Sequence, residues 1–283
     1  MKKLIILIFC CSLSLNASAW WDPGHLMVAM IAYMNLDEEA KKEVDRLTKV
    51  VQRDYPYINH FITLGGWPDD LKEEGVRTYN NWHYTNIPYN PDGVALPPQP
   101  EINVVWAINQ MERVLSGERP RDVDRGRHLG FLVHFVGDLH QPLHSTSMFS
   151  NSQPGGNRGG NGFALTGRWR NLHMLWDDGC GVFGEDFNNV SPYGQPKEAL
   201  TAAEIKMYED MAKELQAQFP MESVACLEQP DPDFWALESH KLAVRYGYRG
   251  VMGKDDRGRN VYISNGDEPS EVYLEAGRAV VRK

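Results

Sequence analysis

The sequence of 283 residues lacks several features that define whole classes of protein. It has no tract rich in Ser, Gln or Asn and no internal repeat, and 42% of its residues are hydrophobic against 24% charged. These values exclude a disordered chain, a coiled coil and a collagen-like repeat. Alternation of apolar and polar residues is scarce, so few β-strands are expected. Beyond residue 15 no stretch approaches the roughly 18 apolar residues that a membrane-spanning helix needs.

The sequence also has fewer basic residues than acidic ones. The chain carries 29 Lys and Arg against 38 Asp and Glu, which gives a formal net charge of −9. Such a protein is a poor candidate for binding duplex DNA by neutralising its phosphates. It can still act on phosphate groups if metal ions supply positive charge locally.

The first 19 residues have the composition of a secretory signal peptide. Lys2 and Lys3 precede an apolar run over residues 4–15, and Ala17-Ser18-Ala19 is a small-x-small cleavage signal. An uncleaved membrane anchor is the alternative. Cleavage predicts an exported, periplasmic or secreted domain of residues 20–283, with no membrane anchor and a net charge of about −11.

Only two cysteines remain once the leader is removed. Cys180 and Cys226 lie in the predicted exported domain. Because disulfides persist in oxidising compartments, we expect these two residues to be bonded.

Hydrophobic periodicity predicts an all-α protein, a single domain of about eight helices with long loops. Residues 26–50 read as two helices broken near Asn35 and Leu36, with Asp37 as the N-cap of the second. Loops are expected at 84–100, which holds five prolines, and at 150–167, which holds six glycines. The other helical segments predicted are 101–116, 124–141, 168–179, 198–218, 231–246 and 269–281.

Two pairs of His and Asp have the spacing of metal ligands. His134 and Asp138 are four residues apart on one predicted helix, and His173 and Asp177 repeat the spacing on another. His144 follows a Gln-Pro helix break just after the first pair. Each pair alone is more typical of an ion pair, but together they favour a metal site. Imidazole and carboxylate donors without thiolate are typical of catalytic zinc.

The order of these residues resembles the zinc-dependent type I nucleases, that is, the S1/P1 and mung bean nucleases. The resemblance runs from residue 20 to about residue 180 and more faintly to the end. It implies an all-helical fold shared with the zinc-dependent phospholipases C. The segments that carry it are Trp20…Gly24-His25, Trp67-Pro68-Asp69, Trp82-His83, His134-x3-Asp138, Gln141-Pro142-Leu143-His144, Gly155-Gly156-Asn157 and Asn171-Leu172-His173-x2-Trp176-Asp177.

The resemblance implies three Zn²⁺ ions per chain. The first would be bound by Asp69, His83, His134 and Asp138, and the second by His144, His173 and Asp177. The third would be bound by His25, Asp138 and the amine and carbonyl of Trp20. Asp138 would then bridge two ions, and leader cleavage would free the Trp20 amine to act as a ligand.

The resemblance also implies the reaction. It predicts hydrolysis of single-stranded DNA and RNA to 5′-phosphate products and dephosphorylation of 3′-nucleotides. From the acidic charge we expect no stable binding of duplex DNA, and we expect the protein to be a monomer. Asp69 and Asp138 would be catalytic through the metals, and Lys72, one helical turn after Asp69, would neutralise transition-state charge. Substrate-binding residues are expected at Tyr84, Asn86, Gly156 and Asn157. Tyr84 would stack on an unpaired base.

Two other functions remain open at this point. A zinc-dependent phospholipase C would share the metal ligands but would need an apolar surface facing lipid, and residues 84–100 and 145–170 contain no such stripe. A non-enzymatic zinc-binding protein would need neither Lys72 nor an aromatic residue that stacks on a base.

Overall fold

The computed structural model describes residues 22–118, 120–183, 197–220 and 230–282. Its helices account for most of the regular structure within these ranges. They are α1 (Asp22–Asn35), α2 (Glu38–Gln52), α3 (Trp67–Glu73), α4 (Val104–Leu115), α5 (Asp122–His140), α6 (Leu172–Asp177), α7 (Ala202–Gln218), α8 (Pro232–Leu242) and α9 (Glu271–Val281).

Short elements connect these helices. Turns of 3-10 helix occupy Phe61–Leu64, Asn80–His83, Pro142–His144 and Gly179–Gly181, and a π-helical turn over Ala243–Tyr248 extends α8. Strands β1 (Ile87–Tyr89) and β2 (Thr146–Met148) pair in parallel, with Ile87 opposite Thr146. Strands β3 (Val251–Lys254) and β4 (Asn260–Tyr262) form an antiparallel pair.

Polar side chains fix where many of the helices begin. Asp37 accepts a hydrogen bond from the Ala40 amide and so caps α2, as the sequence predicts. Asn103 caps α4 and Asn171 caps α6 in the same way. Each cap supplies an acceptor to a backbone N–H that has no partner within its own helix.

Helix α5 lies at the centre of the fold and packs against α1, α2, α3, α4 and α8. Glycines on α5 allow this close packing. A Cβ atom at Gly126 would lie 2.8 Å from Val51 Cγ2, and one at Gly130 would lie 3.0 Å from a ring carbon of Trp67. A larger residue at either position would force a neighbouring helix away.

Hydrophobic side chains form two clusters on either side of α5's C-terminal end. The larger one includes Trp67, Ile108 and Phe135, and the smaller one includes Leu143, Trp176 and Tyr273. Trp176 Nε1 donates to the Tyr273 hydroxyl at 3.0 Å, which satisfies a polar group inside the smaller cluster.

A partly buried ion-pair network connects the start of α1 to distant parts of the chain. Lys197 Nζ pairs with Asp22 and, at 3.1 Å, with Asp70 on α3. The Tyr57 hydroxyl donates to the other Asp70 oxygen at 2.9 Å. Burial beside Asp22 raises the pKa of Asp70 to about 7.

The all-α prediction is confirmed, including the break between α1 and α2. The predicted loops at 84–100 and 150–167 are largely irregular, but β1 falls within the first of them. No α-helix in the described ranges is long and apolar enough to span a bilayer. Cys180 is buried, and its predicted partner Cys226 lies outside the described residues.

Candidate active site

The C-terminal half of α5 forms the floor of the site. His134 and Asp138 are fully buried on one face of this helix, with His134 Nε2 3.2 Å from Asp138 Oδ2. Helix α1 brings His25 to the same place, where its Nε2 lies 3.5 Å from Asp138 Oδ1 and its ring stacks on that of His134 at 3.9 Å. Gly137 permits this approach, because a Cβ there would lie 3.0 Å from the His25 ring.

Two further side chains, from other elements of the fold, reach His134 and Asp138. Asp69 follows Pro68 in the first turn of α3, and its Oδ1 lies 3.6 Å from His134 Nε2. His83 ends a 3-10 turn, and its Nδ1 lies 3.0 Å from His134 Nε2 and 2.9 Å from Asp138 Oδ2. Asp69, His83, His134 and Asp138 therefore lie close together. Asp138 also contacts His25 through its other oxygen.

A second group of ligand atoms lies beyond Asp138. The break at Gln141-Pro142 starts the 3-10 turn that carries His144. His144 Nε2 lies 3.9 Å from Asp177 Oδ1, and His173 Nε2 lies 3.5 Å from Asp177 Oδ2. The predicted helical spacing therefore places His173 and Asp177 on one face of α6.

These side chains make up three groups that could each hold a metal ion, with ligand atoms within 4.8 Å of one another. The groups are His25, His134 and Asp138; Asp69, His83 and His134; and His144, His173 and Asp177. All of these residues are buried.

Backbone carbonyls orient three of the imidazole rings. The Nδ1 atoms of His134, His144 and His173 lie 2.6–2.7 Å from the carbonyl oxygens of Gly65, His83 and Gly159 respectively. Nδ1–H therefore donates to the backbone, and the lone pair on Nε2 is directed into the site. Metal-binding histidines have this arrangement in most proteins.

Several buried atoms of the site lack a hydrogen-bond partner in the described part of the chain. They include Nε2 of His25, Nε2 of His144 and Oδ1 of Asp138. Buried polar atoms are costly to leave unpaired, and cations between them would satisfy all three. The donor set therefore fits metal ions.

Burial keeps most of these imidazoles neutral, as metal ligands must be. It lowers the pKa of His83 to about 4, with the charge of Lys72 acting in the same direction. Burial next to His144 lowers the pKa of His173 to about 3. For Asp138, burial alone would raise the pKa, but His134 and His144 hold it well below its ordinary value.

Asp177 behaves differently because no cation from the protein contacts it in the described ranges. Burial raises the pKa of Asp177 well above its ordinary value, and a hydrogen bond from Gln141 offsets this only in part. Gln141 Nε2 donates to Asp177 Oδ1 at 2.6 Å. A bound cation would reverse the effect of burial and ionise this carboxyl.

A cleft of about 290 Å³ opens above the metal-binding groups. The residues that line it include three cations and, among those the structure describes, no Asp or Glu. The lining residues are Lys72, Arg77, Asn80, His83, Tyr84, Asn86, Leu143, His144, Arg158, Gly159, Asn161 and His173. In a protein with a net charge of −9, this lining is suited to an anion.

Comparison with known proteins identifies the family. The S1/P1 nuclease family profile matches residues 20–282. The chain belongs to the S1/P1 nuclease family. Endonuclease 4 of Arabidopsis thaliana is 27% identical over 271 residues, which cover 88% of this chain and 82% of that protein. Endonuclease 1 of the same plant is 25% identical over 296 residues, 98% of this chain and 85% of that protein. Nuclease S1 of Aspergillus oryzae is 39% identical over 75 residues, 26% of this chain and 23% of its own length.

The protein is therefore a nuclease, a hydrolase of phosphate esters. Eight of its nine predicted metal ligands lie within the described residues, and the structure brings them together in the three groups above. The ninth, Trp20, lies outside the described residues.

The predicted substrate-binding residues of this S1/P1 nuclease lie in two settings. Tyr84 and Asn86 line the cleft, and the Tyr84 hydroxyl donates to Asn81 Oδ1 at 2.9 Å. Gly156 and Asn157 are not among the lining residues. Asn157 is buried, and its Oδ1 accepts hydrogen bonds from the Met148 and Gly160 amides, whereas its Nδ2 has no partner within the described ranges.

Several residues that line this nuclease's cleft are not among those predicted from the sequence. Arg77, Asn80 and Asn161 line the cleft and have no distinguishing spacing in the sequence. Arg158 also lines it, and a single cation inside a run of glycines was a signal that could have identified it. Gln141 was part of the family pattern, but its bond to Asp177 depends on a helix break that only the structure shows.

The four other histidines of the described residues lie outside the three His/Asp groups. His60 Nδ1 accepts from the Ile62 amide at 3.3 Å. The Nδ1 atoms of His128 and His140 contact the carbonyl oxygens one helical turn earlier. His240 Nδ1 lies 3.1 Å from Thr146 Oγ1. The first three contacts are within one turn of the chain, and the fourth joins α8 to β2.

Proposed function

We propose that this protein is an exported, monomeric, zinc-dependent nuclease that holds three Zn²⁺ ions. It cleaves single-stranded DNA and RNA to 5′-phosphate products and removes the phosphate from 3′-nucleotides. The observation that carries the proposal is the arrangement of three buried His/Asp groups beneath a cleft lined by cations.

The donor set supports zinc rather than magnesium or calcium. Imidazole nitrogens supply five of the eight ligand side chains within the described residues, and magnesium and calcium prefer oxygen ligands. The first ion would be held by Asp69, His83, His134 and Asp138. The second would be held by His144, His173 and Asp177, and the third by His25, Asp138 and the Trp20 amine and carbonyl. Zinc at these positions would acidify a water molecule and offset charge on the phosphate.

Lys72 would act on the scissile phosphate. Its ammonium group pairs with Asp69, its side chain is only 12% exposed, and it lines the cleft. Asp69 thus holds the cation in a fixed position before substrate arrives. A fixed charge at the point where negative charge develops stabilises the transition state without further reorganisation.

The cleft is suited to a base that is not paired. Tyr84 offers an aromatic face, and Asn86 offers both a donor and an acceptor to a base edge. Asn157 lies behind the cleft wall, where its Oδ1 accepts from the Met148 and Gly160 amides and so shapes the loop that carries Arg158. Stacking accepts any base, whereas in a duplex the base faces are hidden, so single strands are preferred.

Zinc content and substrate range test this function together. We expect elemental analysis of dialysed protein to give three zinc ions per chain. The same preparation should hydrolyse single-stranded DNA, RNA and a 3′-nucleotide, and should leave duplex DNA and phosphatidylcholine intact.

Hydrolysis of phosphatidylcholine without nuclease activity would instead indicate a phospholipase C. Zinc binding without any phosphoesterase activity would contradict an enzymatic function. One zinc or none per chain would contradict the three-metal site.

A further inference from the structure

The loop that forms one rim of the cleft has an unusual backbone. Gly156, Gly159 and Gly160 have φ values of +86°, +62° and +85°, and Arg158 among them has φ +55°. Glycine adopts this left-handed region freely, but a residue with a Cβ atom is strained there. Arg158 therefore occupies a position that a fourth glycine would fill with less strain.

Only two further non-glycine residues in the described ranges have positive φ values, Asn86 and Cys180. Asn86 and Arg158 both line the cleft, on different segments of the chain. Strained backbone that persists at a ligand site indicates that the side chain itself is needed.

The surrounding loop holds the Arg158 backbone in place. Its amide donates to Ser147 Oγ at 3.1 Å, and its carbonyl accepts from Asn161 Nδ2 at 2.9 Å. On one side Asn157 Oδ1 accepts from the Tyr248 hydroxyl, and on the other the Gly159 carbonyl accepts from His173. The loop is thus tied directly to a predicted zinc ligand.

The Arg158 side chain is free to bind a ligand. It is exposed at the rim, and within the described residues it makes no side-chain hydrogen bond or ion pair. No carboxylate among the described lining residues competes for it. Lys72 pairs with Asp69 and its side chain is only 12% exposed. The two cations therefore differ in burial, with Lys72 against a predicted metal ligand and Arg158 exposed to solvent.

We propose that Arg158 binds a phosphate group next to the scissile one and thereby favours polynucleotides over 3′-mononucleotides as substrates. The inference rests on the proposed nuclease function. A guanidinium group is always charged and can donate two parallel hydrogen bonds to a phosphate. A 3′-mononucleotide has no neighbouring phosphate, so it cannot use this contact.

Substitutions at Arg158 test the proposal by comparing two substrates. In Arg158→Gln and Arg158→Gly, kcat/KM for an eight-residue thymidine oligonucleotide should fall about tenfold or more. The value for thymidine 3′-phosphate should stay within about twofold of wild type. Arg158→Lys should lie between, because it keeps the charge but loses the paired donors. Arg257→Gln, on the β3–β4 turn, is the matched control for loss of one positive charge.

Salt dependence gives a readout that a purely structural role would not change. The slope of log(kcat/KM) against log[NaCl] for the oligonucleotide should become shallower by about 0.7 in Arg158→Gln, the value for one single-strand phosphate contact. Arg158→Gly also relieves the backbone strain, so its melting temperature should equal or exceed that of wild type. Its lower activity on the oligonucleotide then cannot come from unfolding.

Neutral linkages provide the decisive comparison. On an oligonucleotide with methylphosphonates on both sides of one scissile phosphate, wild type and Arg158→Gln should have equal kcat/KM. Equal losses on both natural substrates, no loss on the oligonucleotide, or a persistent difference on the neutral-linkage substrate would overturn the proposal. If the unaltered protein hydrolyses neither natural substrate, the proposed function fails and the inference fails with it.

Discussion

Gln141 links the helix break after α5 to the predicted second zinc site. Its Nε2 donates to Asp177 Oδ1 at 2.6 Å, its Oε1 accepts from the Leu143 amide, and it is fully buried. Replacing Gln141 with alanine leaves the Leu143 N–H without its acceptor and Asp177 without its donor. An unpaired buried donor costs about 1–3 kcal/mol, and a neutral hydrogen bond contributes about 1 kcal/mol.

The zinc-free Gln141→Ala protein should therefore be about 2–4 kcal/mol less stable than zinc-free wild type in urea denaturation. In the zinc-loaded protein the ionised Asp177 would lose an orienting donor. Zinc affinity at that site should fall about 10- to 100-fold, the usual effect of removing a residue that orients a metal ligand. Competition with a chromophoric chelator measures this affinity directly.

Two further variants separate positioning from loss of packing. Gln141→Glu keeps an acceptor for Leu143 but places a second carboxylate against Asp177, so it should raise the pKa of Asp177 further. Gln99→Ala removes an exposed glutamine and should change neither stability nor zinc affinity. Unchanged zinc affinity in Gln141→Ala would refute the positioning role.

Three other predictions follow from the site. Asp138→Asn should lower the zinc content and abolish activity on every substrate, whereas His128→Ala should be nearly silent; equal losses in both would contradict the bridging role of Asp138. A protein with one residue added before Trp20 should fold but lose one zinc and about a hundredfold or more in activity, because an amide nitrogen is not basic. Full activity, with the extension confirmed by mass spectrometry, would exclude the Trp20 amine as a ligand. The zinc-free protein should lose stability as pH falls below about 6.5. In the folded protein the buried His83 and His173 have pKa values of about 4 and 3, so they stay neutral at this pH. In the unfolded chain the same two residues bind protons, which favours unfolding. Urea denaturation at pH 7.5 and pH 5 would detect this loss, and equal stabilities would count against the burial of these two rings.

Local patterns in the sequence were sufficient to predict eight of the nine described α-helices and the His/Asp pairs on α5 and α6, but they did not predict α3, the short helix that carries Asp69. Asp37 was identifiable as an N-cap from its neighbours, and His173 and Asp177 from helical spacing. Asp69 and His83 were not identifiable from spacing, because they reach the site from separate short elements. Their assignment came from the family resemblance.

Contacts that depend on tertiary structure escaped prediction. The parallel pairing of β1 with β2 joins segments too short to show alternation. The left-handed backbone at Arg158 and the hydrogen bond from Gln141 to Asp177 have no signature in residue order. The sequence therefore predicts which His and Asp side chains come together better than it predicts which residues shape the cleft.

The pairing of Lys197 with Asp22 has a consequence for the order in which the protein is assembled. The two residues are 175 positions apart in the chain, and Asp22 lies three residues before His25. In the export that we propose, the N-terminal part of the chain is made first and His25 appears early, but Lys197, which pairs with Asp22 at the start of α1, appears far later. Contacts between such distant residues form slowly. We therefore expect His25, although it is made early, to be among the last ligands to reach its place, so that metal uptake is completed only where the whole chain has folded.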